Sequence, residues 1–161
     1  MGSHKSVEGR PQRKSTRAKH HNYGWSAIYL ITIITKDRER FFDIPALHTI
    51  LETTWQALPE RFEGLTLDEF VIMPDHIHFI IHLEGNVKQP TTLGAVIGAY
   101  KSLVSHHWVQ HLKSIGATGI YSGHIWHSNY NDRIIWDQQE LCIKRFYVRN
   151  NPLKLLEDLN L

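Results

Sequence analysis

At 161 residues the chain has room for one domain and hardly two, and a chain of this length buries roughly 70% of its unfolded surface without covalent staples. A single cysteine, Cys142, excludes an intrachain disulfide framework and a cysteine-based zinc site, which fits a reducing, cytoplasmic setting. The formal net charge is only +2, no apolar stretch approaches the ~20 residues of a membrane span, and no signal-peptide core is present.

Charge is unevenly spread. Lys5, Arg10, Arg13, Lys14, Arg17 and Lys19 face one acid, Glu8, in a stretch almost without apolar residues. We read residues 1–22 as a basic, disordered arm and 23–161 as one domain. Arg13, Lys14 and Arg17 could lie along phosphates; a merely solvated tail is the alternative.

Ala27 to Thr35 is β-branched and aromatic, a buried strand. Lys36 to Arg40 is a charged turn. Pro45 suits a first helical turn, and Leu47, Ile50, Leu51, Thr54 and Leu58 recur at helical spacing, predicting a helix over 45–58 that stops near Pro59. Leu65 to Met73 and His76 to Leu83 read as two strands joined by the turn residues Pro74 and Asp75. In the second of these, His76 and His78 should share one face while Ile77 enters the other. Two imidazoles roughly 7 Å apart along a strand can grip one metal ion if the rings lean together. Alternatively each ring is bonded to a carbonyl or carboxylate, a structural pair.

Thr91 or Thr92 can cap a long helix with an apolar stripe from Leu93 through Val96, Tyr100, Val104 and Trp108 to His111. Gly94, Gly98, Lys101 and Ser105 line its other side, where a phosphate could approach Lys101 or where the helix is simply exposed. His107 and His111 are one turn apart, but a packed histidine is the simpler reading of each. A short strand is expected near 133. Asp137 can cap a final helix over 138–151, ended by Pro152. The order strand, helix, strand, strand, helix, strand is the split βαβ pattern of a ferredoxin-like α+β domain. It predicts an antiparallel sheet with helices on one face, and the seventh element is an added C-terminal helix.

On a helical wheel, Cys142, Ile143, Phe146 and Asn150 form the expected core side of that helix. Glu140, Lys144, Tyr147 and Asn151 form a separate stripe, with Arg145 and Arg149 elsewhere. Tyr147 and Asn151 are neighbours one turn apart. Beside a histidine pair they become a candidate nucleophile and a third ligand; a helix cap is the plainer role for Asn151.

Taken together, the stretches Phe70 to His78, Tyr100 to Ser102, Ile125 to Ile135 and Arg145 to Pro152 resemble the HUH single-tyrosine transposases, and within them the REP-associated tyrosine transposases. The likeness runs from about residue 23 to the C-terminus. It implies a ferredoxin-like domain that cleaves and rejoins single-stranded DNA through a 5′-phosphotyrosine, at hairpin-containing sites. It implies His76, His78 and Asn151 as ligands of Mg²⁺ or Mn²⁺ and Tyr147 as nucleophile. Asp75 would orient His76 from behind, and Lys101, Lys144 and the arm would contact DNA. The expected partner is single-stranded DNA, with no membrane, and the protein a monomer or homodimer. Two rivals stand beside this reading. One is a module that binds DNA hairpins without cutting. The other is an RNA-binding ferredoxin-like domain using Tyr29 and Phe79 as stacking platforms.

Overall fold

A computed structural model describes residues 26–158. The basic arm, with Arg13, Lys14 and Arg17, lies outside the described residues. The main elements are β1 (Ala27–Thr35), α1 (Pro45–Ala57), β2 (Leu65–Met73), β3 (His76–Leu83), α2 (Leu93–Ser114), β4 (Trp126–Ile135) and α3 (Gln138–Asp158). The sheet order is β2-β3-β1-β4, and every neighbouring pair is antiparallel. This is the ferredoxin-like arrangement that the element order predicts.

Side-chain alternation divides the sheet into two unlike faces. Tyr29, Ile31 and Ile33 of β1 and Ile77, Phe79 and Ile81 of β3 point to one face, fully buried under α1 and α2. There Trp55 of α1 stacks on Phe70 of β2, with ring centroids 4.9 Å apart. Tyr100 of α2 donates its hydroxyl to the Leu51 carbonyl at 3.0 Å, so a wholly buried polar group is satisfied and the two helices are tied. Thr92 caps α2 by accepting from the Ala95 amide at 3.1 Å.

Among the described residues, α3 is the helix that covers the opposite face. Ile80 and Ile135 meet Leu141 and Val148 in a small cluster flanked by Ile28, Leu30 and Val71. Asp137 caps α3, accepting from the Glu140 amide at 2.8 Å, and Glu140 accepts in return from the Trp136 amide at 3.0 Å. No helix among the described residues is long and apolar enough to cross a membrane.

Three expectations change. The last strand runs ten residues, Trp126–Ile135, longer than the short strand expected near 133. It is an edge strand whose polar outer face hides its periodicity, and its backbone pairing with β1 extends it. The last helix continues through Pro152 to Asp158 instead of ending at 151. Proline removes one intrahelical bond, and helices can accommodate that loss with a bend. The phase of this helix is also inverted. Ile143 and Phe146 are 58% and 71% exposed, and Cys142 is exposed, whereas Leu141 and Val148 face the sheet. The expected core side, Cys142, Ile143, Phe146 and Asn150, is therefore not the packed side. In the observed phase Arg145 and Arg149 pair with Asp68 and Glu69 of β2.

Helix phase is directly testable by denaturant unfolding. Val148→Ala is expected to destabilise by about 2 kcal/mol, the scale of a fully buried valine. Phe146→Ser is expected to change stability by less than about 0.5 kcal/mol, as for other exposed positions.

Candidate active site

His76 and His78 open β3 immediately after the turn Pro74-Asp75. The alternation that buries Ile77 sends both imidazoles to the face away from α1 and α2. His78 lies directly between Thr32 on β1 and Val71 on β2, and His76 between Ile34 and Met73. Their rings lean together, with centroids 4.7 Å apart and planes at 77°.

Each ring is held from behind. Asp75 Oδ1 lies 2.6 Å from His76 Nδ1, and Thr32 Oγ1 lies 2.8 Å from His78 Nδ1. A carboxylate can only accept, so His76 carries its proton on Nδ1. The Thr32 hydroxyl can accept the Nδ1 proton of His78 in the same way. In that tautomer each neutral ring keeps its Nε2 lone pair for a ligand bond, as metal-bound histidines do. Asp75 also faces Arg38 at 3.6 Å. Burial raises the Asp75 pKa, but the bond and charge of His76 and the charge of Arg38 outweigh it, so the carboxyl stays below its ordinary range. His78 is pushed down to about 4 by burial, with a smaller contribution from the neighbouring His76. It is therefore neutral at physiological pH, the protonation state a metal ligand needs.

Tyr147 reaches the pair from α3. Its ring lies 5.6 Å from the His78 ring, centroid to centroid, and the residue is 44% exposed. Asn151 follows one turn later, where its amide nitrogen donates to the Tyr147 carbonyl at 3.2 Å. That bond leaves the amide oxygen available as a hard donor. Among the described residues no third histidine, cysteine or carboxylate joins the pair in a metal-binding group. Two imidazole nitrogens and an amide oxygen are a suitable donor set for Mg²⁺ or Mn²⁺ with positions left for other ligands.

The structure thus brings together His76, His78, Asp75 and Tyr147, with Asn151 and Lys144 on the same stripe of α3. It does not bring Lys101 there. Lys101 belongs to α2 on the other face, where its ammonium donates to the His127 carbonyl at 2.7 Å and burial lowers its pKa. Trp126 Nε1 returns a bond to the Lys101 carbonyl at 3.0 Å, tying α2 to the start of β4. Tyr130 stands opposite Ile33 and packs on the helix-covered face, so the sheet separates it from the histidines. Tyr29 and Phe79 are wholly buried and cannot serve as stacking platforms, which removes the aromatic support for the RNA-binding reading. Thr32 is the residue that sequence reasoning missed. Only the β1–β3 register, which places it opposite His78, identifies it.

The low pKa of His78 has a sign that can be checked on metal-free protein. A folded-state value near 4, below the 6.5 of an unperturbed ring, means the unfolded chain binds the proton first. Stability should be fully present above pH ~6.5, fall as pH drops toward ~4, and level off below. The loss from this group is at most roughly 3 kcal/mol at about 1.36 kcal/mol per pH unit. His78→Gln should remove that part of the slope in urea titrations taken across the same window.

Residues 23–151 match the sequence profile of a family described as "Transposase IS200 like". An uncharacterised protein of Haemophilus influenzae (strain Rd) is 28% identical over 172 aligned positions, covering 91% of each chain. Among solved structures, a REP-associated tyrosine transposase bound to a REP hairpin superposes with a TM-score of 0.62 at 14% identity, over 86% of this chain and 73% of that one. A candidate transposase from Deinococcus radiodurans R1 superposes with a TM-score of 0.54 at 16% identity, over 81% of this chain and 95% of the other.

Proposed function

The chain belongs to the IS200-like transposase family, and from that premise we propose that it cleaves and rejoins single-stranded DNA through a covalent bond to Tyr147. The observation that carries the reading is the approach of the Tyr147 ring to within 5.6 Å of His78, on the face that both imidazoles share, each held at Nδ1 by Thr32 or Asp75.

In this mechanism the Tyr147 oxygen attacks a DNA phosphorus in line. The tyrosyl O–P bond forms as the P–O3′ bond breaks, the phenolic proton is lost, and the departing 3′-oxygen takes up a proton. The product is a 5′-phosphotyrosine and a free 3′-hydroxyl. One phosphodiester replaces another, so the strand can be rejoined by the reverse attack with no external energy source. His76, His78 and Asn151 would hold Mg²⁺ or Mn²⁺, which supplies Lewis-acid polarisation of a non-bridging phosphate oxygen. Asp75 and Thr32 keep the two rings in the ligating tautomer. Lys144, half-buried on the Tyr147 stripe, and the basic arm would contact the DNA backbone. A hairpin-containing target is favoured by the structural relative that holds a REP hairpin in the same fold.

Labelled single-stranded hairpins incubated with the protein and Mn²⁺, followed by denaturing electrophoresis and peptide mapping, test this directly. Tyr147→Phe should abolish the covalent adduct yet retain hairpin binding, because only the hydroxyl is lost. Tyr130→Phe, altered on the far side of the sheet, should still form it. Wild-type protein that binds hairpins but never forms an adduct would instead identify a non-cleaving binding module.

Metal dependence has its own readout. His76→Ala combined with His78→Ala should eliminate Mn²⁺ binding in calorimetry while circular dichroism stays native. Thr32→Val should weaken Mn²⁺ binding by roughly 10- to 100-fold, the usual effect of removing a partner that orients a ligand. Unchanged Mn²⁺ affinity in the double histidine variant would refute the ligand assignment.

A further inference from the structure

We propose that a β-bulge in β2 sets the rotation and height of α3 through the consecutive acids Asp68 and Glu69, and so holds Tyr147 at the histidine pair. Asp68, Glu69, Arg145 and Arg149 are then positioning residues for the tyrosine. The inference rests on the reading of Tyr147 as the reacting group.

The bulge is visible in the register. Leu67 pairs with Ile81 and Phe70 with Phe79, so three steps along β2 answer two along β3. In a regular strand, neighbouring side chains point to opposite faces, and two consecutive acids could not both meet one helix. With the extra residue they do. Asp68 receives Arg145 in a two-pronged pair, Nε to Oδ1 at 2.9 Å and Nη2 to Oδ2 at 2.6 Å. Glu69 receives Arg149 Nε at 2.7 Å and pairs with its Nη2 as well. His82 Nε2 approaches Asp68 Oδ2 at 2.7 Å, bracing the carboxylate from the sheet.

Arg145 and Arg149 are one helical turn apart on one side of α3, and Tyr147, between them in sequence, projects from the other side toward His78. One ion pair would act as a pivot; two, a turn apart, fix both rotation about the helix axis and sliding along it. The apolar residues alone would choose another phase. Ile143 and Phe146 offer more apolar surface than Leu141 and Val148, yet they face outward. Turning the helix to bury them would carry Tyr147 away from His78. The Glu69–Arg149 pair is partly exposed, so its contribution to stability is small. Its consequence is geometric.

Electron–electron resonance distances test this without relying on activity. Cys142, the only cysteine, is exposed on α3 and accepts one spin label, and Gln56→Cys on exposed α1 accepts the second. The distance distribution should be narrow in the otherwise unchanged protein. It should broaden or shift in Asp68→Asn with Glu69→Gln, and also in the surface variant Arg149→Met, which serves if the double variant does not fold. At saturating hairpin, single-turnover adduct formation should fall at least about tenfold in these variants while hairpin affinity is kept, since misplacing a reacting group by 1 Å can cost ~100-fold. The exchanged pair Asp68→Arg with Arg145→Asp should recover part of that rate. An unchanged distance distribution in the variants would overturn the inference. An adduct that persists in Tyr147→Phe would instead overturn the assignment of the tyrosine.

Discussion

Strand β3 lies inside the sheet, hydrogen-bonded to β2 on one edge and β1 on the other, and its alternation partitions the molecule. Ile77, Phe79 and Ile81 enter the core beneath α1 and α2, and His76, His78 and His82 take the opposite face. The two sets cannot be separated. A one-residue slip of register would bury three imidazoles and expose three large apolar side chains. At roughly 1.5–3 kcal/mol for each large apolar side chain removed from water, the core enforces the direction of the histidines. The geometry of the site is in this sense a by-product of hydrophobic burial on its reverse side.

The helix that brings the tyrosine is held by different forces. Among the described side chains of α3, Leu141 and Val148 supply the wholly buried apolar contact, against Ile80 and Ile135 beneath. Beside that contact the anchorage is ionic, through Arg145–Asp68 and Arg149–Glu69. Asp68 is nearly enclosed; burial raises its pKa, but the bonds and charges of Arg145 and His82 bring it below the ordinary carboxylate range. An enclosed carboxylate deprived of its arginine would be left without its main partner, which is more costly than losing an exposed ion pair. Specific geometry thus competes with a nonspecific preference to bury Phe146, and the observed phase shows which prevails.

That competition also explains which features could be read from the sequence. β2 and β3 fall at their expected ends, and α1 within one residue, because core-facing apolar periodicity and turn residues mark them. The histidine pair was legible for the same reason. The phase of α3 was not, since periodicity weighs apolar residues and is blind to an ion pair whose acids lie about eighty positions away on a bulge. The full length of β4 was hidden for a related reason: pairing along an edge strand is a backbone matter, and its side chains from His127 to Arg133 are mostly polar and exposed. Thr32 was hidden because its meaning exists only across the β1–β3 register. The two tyrosines of the motif-bearing segments, Tyr130 and Tyr147, look equivalent in one dimension, and the sheet places them on opposite sides.

The charge balance around the pair leads to a last step. His78 is neutral at physiological pH, and Asp75 remains ionised beside His76, its charge partly answered by Arg38. The immediate site therefore has little positive charge of its own to offer a phosphodiester. Protonating the imidazoles could supply it, but two rings 4.7 Å apart resist carrying like charges, and burial opposes the charge on His78. Under the proposed function, the positive charge would come from a divalent cation held by the two Nε2 atoms. The features that make His78 a poor cation make it a good ligand. On this account burial keeps His78 uncharged while Thr32 and Asp75 orient the two rings, so that the attraction of the site for phosphate depends on the bound metal.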